Sequence, residues 1–428
     1  LQGISAAGLV PCGYALIPIL APKDEVQKYF SIVSCGFSST IGLGLIIGGA
    51  FALTKIGYKG VFYLTFAVMS LIFFSALLFT YGVEKIQDEE LEEVKDEALR
   101  EEEAASIASL DFIGSFIFVT GSILIVVGLT EGGESWRRPK AYVSFVIGII
   151  LFCGFFGWNC YYPKIVQVLK RTGFNTATYF ENVHVLVPMD VLFMPNFIPI
   201  ALTFALNNAS LFSCIYIIDQ YSQYENNNSP LLAGVKLVPL IIVMVLGNGM
   251  CALRCVKLRP RIGVALGFLF AFSGSIILTQ LHLVNQEVYW KLFFCSQVLV
   301  GFGVAIFYPY GLQLAVGGAP DKSKGIASGV TQTFGQLGIE ITFSVMASVL
   351  GNISDVRGRS DSFEKFRIGF QNCTYFTVAV SALGLLLTTF CLRDIQIQMD
   401  VQPSEDSIYQ VTAQPSIKSE SCTIEVKI

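Results

Sequence analysis

Eleven long apolar stretches, broken mostly by short polar loops, decide what this chain can fold into. They run over residues 3–20, 29–53, 60–81, 112–129, 141–160, 197–218, 231–253, 262–281, 292–310, 325–350 and 375–392. A helix that crosses the hydrocarbon core of a bilayer needs about 20 apolar residues, and each stretch is close to that length. Inside hydrocarbon only a helix or a closed barrel satisfies its own backbone groups. Barrel strands alternate apolar and polar residues over about ten positions, whereas these stretches are continuous runs of Leu, Ile, Phe, Gly and Ala. The fold class that follows is all-α integral membrane, with about eleven spanning helices in this chain. Of the 428 residues, 53% are hydrophobic and only 14% charged, too little charge to wet the surface of a soluble domain.

Charge outside the stretches is unevenly placed. Residues 84–103 carry eleven acids against Lys85, Lys95 and Arg100, which reads as a solvated linker. With that linker in the cytosol, the loops on its side hold the larger share of Lys and Arg. Arg254, Lys257, Arg259 and Arg261 fall in one of them, in line with the positive-inside rule. The glycosylation sequon Asn352-Ile353-Ser354 then lies outside. A net charge of −4 offers no basic stripe to nucleic acid. The eleven Cys are scattered without a C-x-x-C pair, so they act as small hydrophobes rather than as a metal or disulfide framework. The two His, His184 and His282, belong to no metal-ligand or catalytic spacing and receive no role. No G-x-x-x-x-G-K-[ST] phosphate loop occurs. No cofactor is therefore expected, and energy for uphill work would come from a proton gradient.

The first and ninth stretches resemble each other at an offset of 298 residues. Leu1, Gly3, Ala7, Pro11, Gly13 and Leu16 fall on Leu299, Gly301, Ala305, Pro309, Gly311 and Leu314, and Ala21-Pro22 falls on Ala319-Pro320. Parallel repeats with a site between two halves are a transporter architecture. If the first helix here corresponds to the fourth of a six-helix half, three helices are expected to precede Leu1 and the full protein should have fourteen.

Leu1-Gln2-Gly3-Ile4-Ser5-Ala6-Ala7 resembles the fourth-helix signature of the fourteen-helix drug:proton antiporters of the major facilitator superfamily. The series Gly36, Gly42, Gly44, Gly48 and Gly49 resembles the antiporter motif of their fifth helix, with Leu45 in place of its proline. Asp111-Phe112-Ile113-Gly114, with Gly128-Leu129-Thr130 and Gly132-Gly133, is similar to the first of two extra helices between the halves. Ser229-Pro230-Leu231 with Ala233-Gly234-Val235-Lys236 and Pro239 resembles the start of the tenth helix. Gly325-Ile326-Ala327-Ser328-Gly329 and Gly335-Gln336-Leu337-Gly338 resemble the thirteenth. The set is most similar to fungal multidrug exporters, including the aminotriazole-resistance type. The family's first-helix acid, and the arginine it carries before Leu-Gln-Gly, lie outside this chain.

The resemblance implies a major facilitator fold. Residues 1–82 would be the remainder of the N-terminal half, 83–110 an acidic cytosolic linker and 111–160 two extra helices. A cytosolic connection over 161–194, a six-helix C-terminal half over 195–392 and a disordered tail over 393–428 would complete it. It also implies that the glycine series seals against the seventh stretch, where Gly247 and Gly249 lie.

Ionisable groups within hydrocarbon are costly unless they work or pair, and few lie inside the stretches. Gln332, Gln336 and Glu340 recur at a spacing of four residues, which makes one polar stripe on one helix face. Such a stripe is expected to face a cavity or another helix, and burial of a carboxyl brings its proton exchange toward physiological pH. Glu340 is thus the candidate proton-coupling group, with a hydrogen-bonded helix contact as the alternative. Lys236 either snorkels to the interface or meets substrate. Asn207, Asn208 and Tyr216, with Gln297 and Tyr308, are candidate cavity polars on helices that by resemblance line the central path.

The expected function is proton-coupled export of small toxic or drug-like molecules by alternating access, with no enzymatic activity. The alternatives are a facilitator or importer of an amino acid, ammonium or borate, and a non-transporting sensor or relic. The expected surroundings are a lipid bilayer, a small-molecule substrate and protons, for a monomer in the plasma membrane or, alternatively, the vacuolar membrane.

Overall fold

The computed structural model describes residues 2–22, 25–87, 111–172, 185, 187, 189–224, 228–253, 258–282, 287–319, 323–350 and 360–393. Nearly all of the acidic linker, most of 173–188, Arg254 and Lys257, the sequon and the tail from 394 lie outside these residues. The described residues are mostly helical, without a strand among them. The long helices are α1 (Gln2–Leu20), α2 (Val26–Ala52), α3 (Lys59–Gln87), α4 (Phe112–Glu134), α5 (Pro139–Thr172) and α6 (Phe197–Tyr224). There follow α7 (Pro230–Val235 and Val238–Ala252), α8 (Pro260–Thr279), α9 (Phe294–Ala315), α10 (Lys324–Leu350) and α11 (Ser360–Phe390). Ten of them are long and apolar enough to cross a bilayer. The eleventh expected span, α1, is a 19-residue helix interrupted by Pro11 and Pro18, and its apolar run is the shorter Leu9–Leu20.

Local chemistry sets where the helices start and break. The Oδ1 of buried Asp111 accepts the Gly114 N–H at 2.7 Å, satisfying one of the unpaired donors of a helix start. Its Oδ2 accepts from Trp158 Nε1 at 3.2 Å, which ties the start of α4 to α5. The Asp-Phe-Ile-Gly motif is therefore a cap that doubles as a helix-pair fastener. Ser229 caps α7 through the Leu232 N–H, with Pro230 in the first turn. After Lys236 and Leu237 the helix resumes at Val238, and Pro239 accounts for the break: it has no N–H to offer and its ring crowds the Val235 carbonyl.

Contacts between helix ends show successive helices running in opposite directions. Asn196, at φ 68°, exchanges two hydrogen bonds with the Arg393 backbone, 2.6 and 2.8 Å, so α6 begins where α11 ends. Asn tolerates this left-handed backbone. Arg261 reaches the Thr389 carbonyl at 2.8 Å and Lys324 the Pro18 carbonyl at 3.3 Å, which bring the starts of α8 and α10 to the same end. At the opposite end Gln371 donates to the Thr279 carbonyl at 2.7 Å. Tyr289 donates there to the Lys236 carbonyl at 3.0 Å. The end shared by the last turn of α3 and the first of α4 is called the linker side below, and its opposite the far side.

The core lies in α6–α11. Helix α6 packs against α9, α10 and α11, while α8 packs against α9 and α11, around fully buried Phe204, Phe268, Phe293, Phe307, Tyr310 and Phe370. Helix α2 crosses onto α7 and α9, α1 lies along α10, and the α4–α5 pair packs on α10. Among the described residues helix α3 packs chiefly on α2, and its membrane-length segment is apolar with no buried side chain. A helix apolar all round belongs in lipid or among other helices.

Candidate functional site

The α10 stripe borders a roomy cavity. Gln332, Thr333 and Gln336 line a space of about 660 Å³ together with Pro11 of α1, Phe118 of α4 and Phe155 of α5. Gly335 and Gly338 lie on another face of α10, which packs on Asn208 and Ala205 of α6. Farther along, Ser344 meets Thr130 of α4 at 3.1 Å. That packing leaves Gln336 and Glu340 on the free face. Gln332 Nε2 is shielded from solvent and has no hydrogen-bond partner, so it is a donor available to a guest in the cavity. Glu340 lies one turn beyond Gln336, exposed and outside the cavity lining. The expectation of a carboxyl buried by its helix neighbours is corrected here: the glycine face takes the helix contact and the stripe does not.

A second polar group sits between α6 and α9. Tyr308 donates to Asn208 Oδ1 at 2.5 Å, with the rings of Phe37 and Phe204 beside it. The adjacent Asn207 is equally buried, yet neither its oxygen nor its nitrogen has a partner. Tyr216 is set apart from this group, its ring 6.1 Å from that of Phe343 on α10.

Gln297 and Lys236 are engaged at the break in α7. Gln297 Oε1 accepts the Leu240 N–H at 3.3 Å, a donor freed because the helix restarts just before it. Its immediate role is thus a cap supplied from a neighbouring helix. The Lys236 ammonium stands 5.5 Å over the Tyr289 ring, an arrangement in which the ring quadrupole attracts the cation.

The glycine series divides into three behaviours. A Cβ on Gly49 would meet the backbone of Pro230 and Leu231 at 2.8 Å, and one on Gly42 the side chain of Ile241 at 2.6 Å. These two positions need glycine, because there α2 and α7 approach as closely as small residues permit. Gly44 and Gly48 have nothing within 4 Å but border a smaller cleft. Gly36 also has open space around it. The expected α2–α7 seam is present, but Gly234 faces α2 across it, rather than Gly247 or Gly249. Gly247 faces Ala305 of α9, and Gly249 has no neighbour within 4 Å. Asn248 completes the seam by donating to Ser38 at 3.2 Å.

One ionisable group escaped the sequence reading. Asp219 lies within α6, five residues before its end, because the helix continues past the apolar stretch of residues 197–218. An acid directly after an apolar run looks like loop; only the length of the helix reveals it as part of the span.

The sequence profile of the Major Facilitator Superfamily matches residues 1–343. Over 417 residues the chain is 22% identical to puromycin resistance protein pur8 of Streptomyces alboniger, covering 95% of this chain and 74% of that protein. It is 23% identical to efflux pump DEP3 of Alternaria brassicicola over 83% of this chain and 58% of the relative. Against efflux pump terJ of Aspergillus terreus the identity is also 23%, over 91% and 68%. Coverage of the MFS-type transporter FPY5 of Fusarium mangiferae falls to 40% of its length, so the chain spans from under half to three quarters of these relatives. The profile match over most of the chain, on a bundle of ten membrane-length helices, establishes that this chain belongs to the major facilitator superfamily.

Proposed function

We propose that this chain is part of a proton-coupled exporter of small toxic or drug-like molecules, working by alternating access. The observation that carries the reading is the α10 stripe: Gln332 and Gln336 border a cavity of about 660 Å³, and Glu340 continues the same face. A roomy, mainly apolar space with a few polar groups suits an amphipathic guest, and the names of several relatives, a resistance protein and efflux pumps among them, support export. In this reading Glu340 exchanges protons in step with substrate release. Asn207, with its free amide, contacts the guest deeper in the bundle. The seam between α2 and α7 is the sliding contact that closes one side. The linker side faces the cytosol, and the protein works as a monomer in the plasma membrane, without a cofactor.

The test is flux in sealed vesicles with a panel of cationic and azole-like compounds. Accumulation that collapses with a protonophore, and that Glu340→Gln abolishes in folded, expressed protein, is the expected result. Gradient-independent flux would replace the exporter with a facilitator, and transport by Glu340→Gln that still follows the gradient would remove Glu340 from the coupling.

A further inference from the structure

At the far-side end of the α2–α7 seam, a cleft of about 230 Å³ is lined by Gly44, Leu45, Gly48 and Gly49 of α2, Pro230 and Gly234 of α7, and Asp219 and Gln223 of α6. Both Asp219 oxygens accept from Gln223 Nε2 at 3.0 Å, and Oδ2 also accepts from Gln220 at 3.3 Å. No basic side chain pairs with Asp219 among the described residues. We propose that Asp219 is a proton-binding carboxylate whose protonation permits the α2–α7 seam to close, a role that rests on the chain being an alternating-access transporter.

Three features of the geometry carry this. First, the carboxylate sits within a membrane-length helix with only neutral amide donors around it, and a charge in such a place is costly unless it is paired. Adding a proton removes that cost while Gln223 can still donate to the carbonyl oxygen. Second, the cleft joins Asp219 to the seam. Gly49 and Gly234 hold α2 and α7 in backbone contact, so closing the seam dries the carboxyl and parting it admits water. Desolvation favours the neutral form of a carboxyl in general, so hydration and protonation at this place cannot change independently. Third, among the described residues that line the cleft with Asp219, none can take over the titration. The α2 and α7 residues lining the cleft are Gly, Leu and Pro, with no titratable group. Among the described residues, the other titratable groups around α6 toward this end include Tyr216, Tyr221 and Tyr224 on α6, Lys236 on α7, Tyr289 before α9, Glu340 on α10, and Arg367 and Cys373 on α11. None of them bonds or ion-pairs with Asp219. Lys236 is turned to Tyr289.

The experiment follows the seam rather than flux. Spin labels carried by non-natural amino acids at exposed Ala50 and Leu232 flank the seam, and their separation is measured in liposomes across the carboxylate titration range. The separation should lengthen as pH rises in the parent chain. Asp219→Asn, which stays neutral and keeps the Gln223 bond, should hold the short distance at every pH, while Asp219→Glu should keep a pH response. A parent chain that does not respond to pH, or an Asp219→Asn chain that responds as the parent does, would overturn the proposal. So would a response that moves with sodium, since the ligand would then be a metal cation. Should Asp219→Asn fail to fold, Gln223→Leu serves instead. It strips donors from the charged form, so the transition should move to higher pH, and an unmoved transition would also overturn the proposal. A seam that responds to pH in a chain whose flux ignores the proton gradient would refute the proton-coupled export reading and leave this role standing.

Discussion

Between α6 and α9, two neighbouring asparagines meet opposite fates. Asn208 receives the Tyr308 hydroxyl, while buried Asn207 has no partner at either polar atom. Removing the hydroxyl in Tyr308→Phe leaves Asn208 Oδ1 stranded. Interhelical bonds of this kind contribute about 0.6 kcal/mol, up to about 1.7, so a loss of about 1 kcal/mol in an unfolding titration in mixed micelles is expected. Asn207→Leu acts in the opposite sense: it deletes two unsatisfied buried groups, each costing about 1–3 kcal/mol when stranded. Its apparent melting temperature should rise while flux of a bulky substrate falls. A variant that is both more stable and fully active would show that Asn207 never meets the guest. The sequence marked both residues as polar groups in an apolar run. It held no sign of which one would be paired, because the partner comes from Tyr308, about a hundred positions away along the chain.

At the scale of helices, α2 and α7 set out which glycines matter. Gly49→Ala places a methyl against the Pro230 and Leu231 backbone, which has no rotamer with which to yield, whereas Gly42→Ala presses on the movable Ile241 side chain. Overpacking costs about 1–3 kcal/mol, so Gly49→Ala should lie at the upper end of that range and Gly42→Ala at the lower. Gly36→Ala, with open space around it, should be silent. Thermal unfolding of the three variants side by side checks the order, and equal losses would mean that the close approach is spread along the whole helix. The series itself was legible from its glycines and its similarity to the antiporter motif. Which glycines touch α7 was not, since that depends on the rotation of two helices about their axes. The same rotation hid Gly234 as the opposing residue and turned the face with Glu340 away from α6.

For the whole molecule, the count and length of apolar runs carried the fold class, because hydrocarbon leaves a backbone so few options. The sites were less legible, since they form where helices distant in sequence cross. Large side chains on α3 such as Phe66, Leu71, Leu78 and Phe79 remain about three quarters exposed, a surface only lipid or further helices can cover. The chain should therefore stay in the membrane fraction after alkaline carbonate extraction; release into the supernatant would contradict the ten-span assignment. The linker side is held in part by Lys324 reaching the Pro18 carbonyl. Lys324→Met should loosen that end, read as faster labelling of exposed Cys12 by a thiol reagent. Unchanged labelling would show that the packing of α1 along α10 holds without it.

The interruption in α7 gives that helix a wrist. Its first six residues, Pro230–Val235, follow α2 through Gly49 and Gly234, while the longer rod after Leu237 is anchored to α9 by Gln297. The far-side end of α2 and that short piece can therefore shift together over a single turn at Lys236, while Gly42 against Ile241 and Asn248 on Ser38 keep the rest of α2 on the rod. One side of the protein can open with a small lever, and the other side keeps its grip while it does so.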